Sequence, residues 1–403
     1  MTRRGVTLLT TVLAGLLGVT IWRLQGPVPR PASAPSDQFS AARAIAELRG
    51  VLAEEVPHPV GTAANRRVRD RIVTRLKNLG HSPVIQRAFV CNSDPSCATV
   101  ENIVALPPGQ GRVVLLTAHY DSVAAGPGAS DDGSGVAAIL ETARALGPQP
   151  RIGILFTDGE EAGLLGAEAF AASPFAHRVD IIVNVEARGT SGPSFLFETS
   201  RGNSGLVNHM RAMKMAFASS LFYTVYDTLP NDTDLSVFKR AGFDGLNFAA
   251  IGDVWNYHTP FDDLAHIDAR TMQHHGDNVL AVARSLSGGV ERTGRNAVFF
   301  DILGFTIVSW PEGVTPIVAL LSLAALLIGS RSASRATPVR GMLTGIAFVL
   351  LTIVLAVLAS MALTWIAHLR AGGAFRLAYP QALITAMWLA GAWSALVVAS
   401  VLR

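Results

Sequence analysis

The chain has 403 residues, of which half are hydrophobic and only 16% are charged. Its mean hydropathy of +0.36 is higher than that of an ordinary soluble enzyme, and the apolar excess lies at the two ends of the chain. The formal net charge of +3 is small, and the arginines cluster beside the apolar runs. This pattern indicates a membrane protein with one folded domain and excludes an extended nucleic-acid-binding surface.

Residues 1–23 are predicted to form a transmembrane signal anchor. An uncharged apolar run, residues 5–22, follows two arginines and would rise roughly 27 Å as a helix. A cleavable signal peptide with a site at residues 32–34 is the alternative, but the run is long for such a peptide and the site lies far downstream. Residues 24–38, which are rich in proline, are predicted to be a solvated linker.

A single α/β domain is predicted for residues 39–290. The predicted helices are 41–54, 65–79, a segment around 136–146, 206–217 and 267–286, and the predicted strands are 113–117, 152–156, 181–186, 194–197 and 245–251. Strands that alternate with helices over this length favour one sheet with crossover connections. We therefore expect a mostly parallel (mixed) central sheet that helices cover on both faces.

Cys91 and Cys97 are the only cysteines, and they flank a turn that contains a proline. Their spacing does not fit the CxxC pattern of redox and zinc motifs. A local disulfide is expected if the domain is exported, and two unlinked thiols are the alternative.

The C-terminal part changes character after a connecting or interfacial segment, residues 291–313. Three long uncharged runs follow, at about 314–329, 342–366 and 381–402, and each is predicted to be a transmembrane helix. None contains Asp, Glu or Lys in its interior, so an intramembrane ionisable site of the kind found in transporters is not visible. We interpret these helices as an anchor in the lipid bilayer.

Arginines beside the apolar runs predict the orientation of the chain. Arg3 and Arg4 favour a cytoplasmic N-terminus, and the loop 330–340 carries further arginines that would then also be cytoplasmic. The opposite loop, 368–380, also contains two arginines, so the two loops differ little in their number of arginines. Four spans with both termini cytoplasmic place residues 39–290 on the extracytoplasmic side, which is periplasmic or extracellular in a bacterium, or luminal.

Side chains that can bind metals follow the predicted strands. His119 and Asp121 come after one strand, and Asp158, Glu160 and Glu161 after another. Asp131, Asp132, Glu186 and His258 complete the set. Because the carboxyl ends of parallel strands share one edge of a sheet, these groups should meet there. Carboxylates at such density repel unless cations neutralise them, and imidazole together with carboxylate suits zinc.

The succession HYD, PGASDDGSG, FTDGEE, NVE and NYHT resembles peptidase family M28, a family of zinc-dependent exopeptidases. The resemblance covers roughly residues 57–286. The membrane segments make the chain similar to the branch of endoplasmic-reticulum metallopeptidases and vacuolar membrane proteases, although those relatives carry more spans. The resemblance implies a zinc exopeptidase-like fold and two Zn²⁺ ions.

Each motif residue acquires a role from this resemblance. His119 and Glu186 would bind one zinc ion, Glu161 and His258 the other, and Asp131 would bridge the two ions. Glu160 would be the general base, and Asp121 would accept the second N–H of the His119 imidazole. A cis peptide bond is implied between Asp131 and Asp132. Asp232 and Asp234, in the NDTD motif, would lie near the site in a structural role or against the substrate.

The implied activity is hydrolysis of peptide substrates by a metallo-exopeptidase. An aminopeptidase is favoured, because no cluster of arginines is available for a substrate carboxylate and an acidic site suits a free α-amine. The alternatives are a carboxypeptidase, a glutaminyl-cyclase-like transferase with one zinc ion, and a non-catalytic receptor that has lost its ligands. The sequence leaves open the side-chain specificity and the oligomeric state.

Overall fold

The computed structural model of the chain describes residues 3–92, 96–229, 231–334, 339–371 and 380–401. The chain divides into two compact units, Met1–Glu312 and Gly313–Arg403. The helices of the first unit are α1 (Arg3–Leu24), α2 (Ala41–Leu52), α3 (Ala63–Asn78), α4 (Gly133–Leu146), α5 (Leu165–Ala171), α6 (Ser204–Met210), α7 (Ser220–Tyr226), α8 (Asp234–Arg240) and α9 (Ala269–Ser287).

Ten strands accompany these helices in the described part of the first unit. They are β1 (Val84–Cys91), β2 (Cys97–Ala105), β3 (Val113–His119), β4 (Ile152–Thr157), β5 (Val179–Ala187), β6 (Ser191–Thr199), β7 (Phe217–Ala218), β8 (Asp244–Gly252), β9 (Ala297–Ile302) and β10 (Thr306–Pro311). The first eight form one sheet in the order β1-β2-β4-β3-β5-β8-β6-β7. The central strands β4, β3, β5 and β8 are parallel, whereas β1–β2, β2–β4 and β6–β8 pair antiparallel. The predicted mixed α/β fold is confirmed.

Both faces of the sheet are buried, as the unbroken apolar sequences of the central strands require. Along β3, Val114 and Leu116 pack into one apolar cluster, which includes residues of α3, α4 and α9. The intervening Leu115 packs on the other face with Phe170 of α5 and Phe238 of α8. Because successive side chains of a strand point to opposite faces, one strand contributes to both cores.

Some elements differ from the prediction. The helix expected over residues 206–217 ends at Met210, because Phe217 pairs with Phe195 in the β6–β7 ladder and its ring lies 5.8 Å from that of Phe195. Strand pairing between β6 and β7 therefore outweighs the helical spacing of apolar residues in this segment. The helices α5, α7 and α8 were not predicted, since seven residues are too few to display a helical period. Within the predicted connecting or interfacial segment, β9 and β10 form a hairpin.

The proline-rich segment after α1 contains no helix or strand, but it is attached to the domain. Arg43 donates hydrogen bonds to the carbonyl oxygens of Ala32 and Ala34 at 2.7 and 2.8 Å. Arg144 donates to the carbonyl of Ser36 at 2.9 Å, and Arg284 donates to that of Asp37. The segment was expected to be a solvated linker. Instead, guanidinium groups of the domain donate hydrogen bonds to several of its backbone carbonyls.

Cys91 and Cys97 form the disulfide that was expected for an exported domain. They are paired residues at the end of the β1–β2 hairpin. The turn residues 93–95 lie outside the described part of the chain.

The second unit contains α10 (Thr315–Ser334), α11 (Val339–Ala371) and α12 (Pro380–Val401). Within the described residues, one stretch is long and apolar enough to cross a membrane, Leu343–Ile366, with 24 residues and a mean hydropathy of 2.8. Shorter apolar helical stretches lie at Thr11–Leu24, Glu312–Ile328 and Ala382–Val398. One candidate span is therefore supported where about four were predicted, because the other three stretches are shorter than the roughly 20 residues that a bilayer requires. Residues 335–338 and 372–379, which contain part of the arginines used to predict the orientation, lie outside the described residues.

Candidate metal centre

The predicted site residues lie at the carboxyl edge of the parallel strands. His119 is the last residue of β3, Glu160 and Glu161 follow β4, and Glu186 lies near the end of β5. His258 lies on the loop that follows β8, in the left-handed backbone region with φ of 56°. Parallel neighbours end at one edge, so segments far apart in sequence deliver their polar side chains to one place.

One group of possible ligand atoms surrounds the imidazole of His119. Its Nε2 atom lies 3.2 Å from Asp131 Oδ1 and 3.8 Å from Glu186 Oε2. Ligand atoms of His119, Asp132 and Glu186 lie within 4.8 Å of one another, and so do those of His119, Asp131 and Glu161. Asp132, which was in the predicted set of metal-capable side chains but received no ligand role, thus belongs to this group.

A second group surrounds the imidazole of His258. Its Nε2 atom lies 3.2 Å from Asp131 Oδ2 and 3.0 Å from Glu161 Oε1. Asp131 therefore presents one oxygen to each histidine, which is the placement that a bridging carboxylate requires. Although they are close, His258 Nε2 and Glu161 Oε1 are buried and make no hydrogen bond of acceptable geometry within the described structure. An imidazole nitrogen and a carboxylate oxygen this close together, with no hydrogen bond between them, can both bind one cation.

The charges of the site also fit cations. Burial raises the pKa of Glu186 to about 8. Burial alone would raise the pKa of Asp131 as well, but the adjacent imidazoles of His119 and His258 outweigh it and lower that pKa to about 2. Burial acts to lower the pKa of His258, yet the adjacent carboxylates of Asp131 and Glu161 raise it to about 9. The carboxylates of the site thus favour a positive charge between them. Imidazole together with carboxylate is a donor set that zinc accepts.

The carboxylate of Asp121 holds the turn that carries Glu160 and Glu161. Its Oδ1 accepts the backbone N–H of Glu160 at 3.0 Å, and its Oδ2 accepts that of Glu161 at 3.2 Å. The Nδ1 atom of His119 is 3.0 Å from the backbone oxygen of Asp121 but 3.6 Å from the carboxylate. The carbonyl is therefore the nearer acceptor for the second N–H of the imidazole, where the sequence predicted the carboxylate. Either acceptor leaves Nε2 free to bind a metal.

Asp262 is a residue of the site that the sequence did not identify. Its Oδ1 accepts the backbone N–H of Ser130 at 2.6 Å, and its Oδ2 accepts that of Asp131 at 3.1 Å. Burial, and then the charge of Asp131, raise the pKa of Asp262 to about 7. The signal in the sequence that could have identified Asp262 is its position four residues after His258, in the same loop.

The loop that carries Asp131 is tightly packed around glycine. At Gly128, with φ of 65°, a Cβ atom would lie 2.6 Å from the backbone oxygen of Asp131. Only a residue without a side chain fits there. The peptide bond between Asp131 and Asp132 is cis, as the resemblance implied.

The remaining predicted acids do not belong to the two ligand groups, although the charge of Asp234 acts on Glu160 and Glu186. Asp234 is buried at the start of α8, where it accepts a hydrogen bond from Thr157 Oγ1. The side chain of Asp232 is 61% exposed and lies 4.0 Å from Arg240. Asp158 accepts hydrogen bonds from Asn65 and from the backbone of Glu101, each at 2.9 Å. Within the described residues, none of these three acids belongs to a cluster that could hold a metal.

Comparison with known proteins places this arrangement in a family. The sequence model of Peptidase family M28 matches residues 102–283. The vacuolar membrane protease of Yarrowia lipolytica is 29% identical over 351 residues, covering 78% of this chain and 35% of that protein. The endoplasmic reticulum metallopeptidase 1 of Mus musculus is 32% identical over 244 residues, covering 56% of this chain and 27% of that protein. The chain spans about a third of the length of these curated relatives.

Solved structures share the fold. A glutaminyl cyclase from Porphyromonas gingivalis is 24% identical with a TM-score of 0.50, covering 61% of this chain and 98% of that one. A leucine aminopeptidase precursor from Bacteroides thetaiotaomicron is 22% identical with a TM-score of 0.51, covering 62% and 98%. At such identities the likeness concerns the fold alone. The matched region contains the whole parallel core and all five predicted metal-binding residues, four of them at the ends of β3, β4 and β5 or in the loops that follow, and His258 on the loop after β8. Residues 102–283 of this chain are a peptidase domain of family M28.

Proposed function

We propose that the protein is a membrane-anchored metallopeptidase that binds two zinc ions and removes amino-terminal residues from peptides. The observation that carries this proposal is the position of Asp131 between two ligand groups. Its oxygens lie 3.2 Å from His119 Nε2 and 3.2 Å from His258 Nε2.

Three residues would hold each zinc ion. His119, Glu186 and Asp131 would hold the first, and His258, Glu161 and Asp131 the second. Zinc bound at this position supplies a Lewis acid that polarises the scissile carbonyl and makes the attacking water more acidic. Asp132, whose Oδ2 has no hydrogen-bond partner in the described structure, adds negative charge beside the first ligand group.

Glu160 would move the proton. Burial, and then the neighbouring carboxylates, raise its pKa well above the usual range, although the charge of His119 opposes them. A carboxylate with a raised pKa is a better base, so Glu160 can accept a proton from the attacking water and return it to the leaving amine. The hydrogen bond from its backbone to Asp121 positions Glu160 beside the ligand groups without using its side chain.

Charge also supports the aminopeptidase assignment. With two zinc ions bound to neutral imidazoles, the five carboxylates of Asp131, Asp132, Glu160, Glu161 and Glu186 carry one more negative charge than the four positive charges of the ions. An α-ammonium group is attracted by that surplus, so the free amino terminus of a peptide is the end that this site favours.

Replacement of Glu160 tests the proposal. In the full chain purified in detergent, Glu160→Gln should lower kcat/KM for leucine 4-nitroanilide by about 10²- to 10⁴-fold, because the general base is removed. Its zinc content should stay at two ions per chain. Glu168→Gln, a matched change at a side chain that is 44% exposed on α5, should retain activity. A chelator should abolish hydrolysis by the unmodified protein.

Other outcomes would point to the alternatives. A protein that binds a single zinc ion and cyclises amino-terminal glutamine without hydrolysing peptides would be a transferase of the cyclase kind. A protein that binds zinc but converts neither substrate would be non-catalytic, and both results would contradict the proposal.

We further propose that the peptidase domain lies outside the cytoplasm and that the chain crosses the membrane about four times. The disulfide between Cys91 and Cys97 supports the location, since such bonds persist in oxidising compartments. The apolar stretch Leu343–Ile366 supports membrane insertion. The curated relatives named above are proteins of the vacuolar membrane and the endoplasmic reticulum by their names.

A further inference from the structure

An exposed arginine lies at the rim of the candidate metal centre. Arg188 follows the last residue of β5 and is two residues from Glu186. Its guanidinium carbon lies 5.1 Å from the centre of the Tyr257 ring. That ring stacks on the imidazole of His258 at 3.7 Å with an interplanar angle of 17°. The Tyr257 ring therefore lies beside both the guanidinium of Arg188 and the imidazole of His258.

Arg188 has no ionic partner in the described part of the chain, although carboxylates are numerous nearby. Other arginines of the domain are paired, such as Arg43 with Glu141 at 2.8 Å and Arg69 with Asp70 at 2.7 Å. The carboxylates of Asp131 and Glu161 face His258, and the guanidinium of Arg188 lies over the Tyr257 ring instead. An exposed cation at the rim of an acidic centre is available to a ligand.

The backbone beside Arg188 is firmly held. Its own N–H donates to the carbonyl oxygen of Ala250 at 2.8 Å. At Gly189, a Cβ atom would lie 2.0 Å from the backbone oxygen of Gly252, so the two segments are in direct contact. The carbonyl oxygen of Gly189 also accepts a hydrogen bond from Ser130 Oγ at 2.8 Å. With its base fixed and its guanidinium over a ring, the side chain loses less conformational entropy when it binds a ligand.

We infer that Arg188 binds the free α-carboxylate of the substrate, so that the substrates of this site are di- and tripeptides. This inference rests on the proposed function. Each extended residue spans about 3.3–3.6 Å, so the carboxylate one or two residues beyond the scissile bond can reach a guanidinium that lies against the same ring as His258. Arginine binds carboxylates through two parallel N–H···O hydrogen bonds, which fixes the orientation of the peptide as well as its affinity.

For such short substrates, the distinction between an aminopeptidase and a carboxypeptidase becomes smaller. The surplus of carboxylates holds the α-ammonium group of a short peptide, and Arg188 holds its other end. In a dipeptide, removal of the amino-terminal residue and removal of the carboxy-terminal residue are the same reaction. The sequence showed no cluster of arginines, but the fold places one arginine where a single carboxylate needs it.

Matched substrates test the inference. For the full chain loaded with zinc in detergent, kcat/KM for alanylalanine should exceed that for alanylalanine amide by at least about tenfold, the usual effect of one charge-assisted pair. Arg188→Gln should reduce this ratio to near one, and Arg188→Lys should restore part of it. Arg201→Gln, which removes another exposed arginine on the loop after β6, should keep the ratio of the unmodified protein.

A binding measurement separates this inference from the proposed function. In the Glu160→Gln variant, calorimetry should show at least about tenfold tighter binding of alanylalanine than of its amide, and Arg188→Gln in the same background should remove the difference. Hydrolysis of leucine 4-nitroanilide, which has no carboxylate, reports the proposed function alone. If the nitroanilide is cleaved while acid and amide behave alike, the inference is wrong and the function stands. If the nitroanilide is not cleaved but the acid still binds through Arg188, the function is wrong and the inference stands.

Discussion

At the scale of single residues, Asp121 and Asp262 have the same role on two sides of the metal centre. Each carboxylate accepts two successive backbone N–H groups, those of Glu160 and Glu161 for one and those of Ser130 and Asp131 for the other. A carboxylate makes stronger hydrogen bonds to N–H groups than a neutral oxygen does. The proposed metal ligands Asp131 and Glu161 are therefore held through their backbones, and their side chains remain free to bind ions.

Asp262→Asn is predicted to weaken metal binding. The amide retains one acceptor oxygen, but its NH₂ group faces a backbone N–H where the second oxygen was, so the loop that carries Asp131 loses a hydrogen bond. Loss of such a supporting group lowers metal affinity by about 10- to 100-fold. Competition with a zinc chelator measures the change in affinity.

Asp232→Asn is the matched control, since that side chain is 61% exposed and outside the ligand groups. Equal zinc affinity in the two variants would show that Asp262 does not support the site.

The candidate metal ligands could be selected from the sequence because most of them end or follow an apolar strand of the parallel core. His119, Glu161 and Glu186 are examples, and the motif order implied their roles. Asp262 was not found, because its partners are more than 130 positions away and nothing local marks that contact. The acceptor for His119 was also uncertain from sequence, since the choice between the carbonyl and the carboxylate of Asp121 depends on how the chain turns after β3.

At the scale of elements, the long helices and the central strands were predictable, and the short elements were not. β3 and β4 are uninterrupted apolar runs that end in polar residues, which makes them visible in the sequence. A seven-residue helix such as α8 completes fewer than two turns, so no period emerges. The segment after α1 has the composition of a linker, but arginines from α2, α4 and α9 bind it, and that depends on tertiary structure.

Gly276→Ala is predicted to destabilise the domain. In most helices this change stabilises by about 0.5–1 kcal/mol, because alanine restricts the unfolded chain. In α9, however, the new Cβ atom would lie 2.0 Å from the ring of Phe39, which is fully buried. Overpacking of this kind costs about 1–3 kcal/mol, so the net change in the free energy of unfolding should be negative. Urea denaturation measures it.

Gly50→Ala in α2 is the control, because no atom lies within 4 Å of the Cβ position there. It should show the ordinary stabilisation of about 0.5–1 kcal/mol. Stabilisation by both changes would show that Phe39 does not pack against α9 in this way.

At the scale of the whole molecule, the chain combines an apolar C-terminal unit with a domain whose proposed chemistry uses water and free peptides. The apolar segments of the second unit were visible from composition, and Leu343–Ile366 has the length of a span. The number of crossings was less predictable, since the stretches Glu312–Ile328 and Ala382–Val398 are close to the minimum length. The number of arginines differs little between the loops predicted on the two sides of the membrane, so it determines the orientation only weakly.

The disulfide offers a direct test of the side on which the peptidase domain lies. If residues 39–290 are extracytoplasmic, Cys91 and Cys97 are oxidised in the cell, because cytosolic thiols are kept reduced. Cells lysed in the presence of a thiol-alkylating reagent should then yield an unmodified chain, and the chain should gain two adducts by mass only after reduction. Cys91→Ser with Cys97→Ser is the control and should gain none in either case, since the sequence has no other cysteine. Two adducts without reduction would place the domain in the cytoplasm and reverse the orientation of every span.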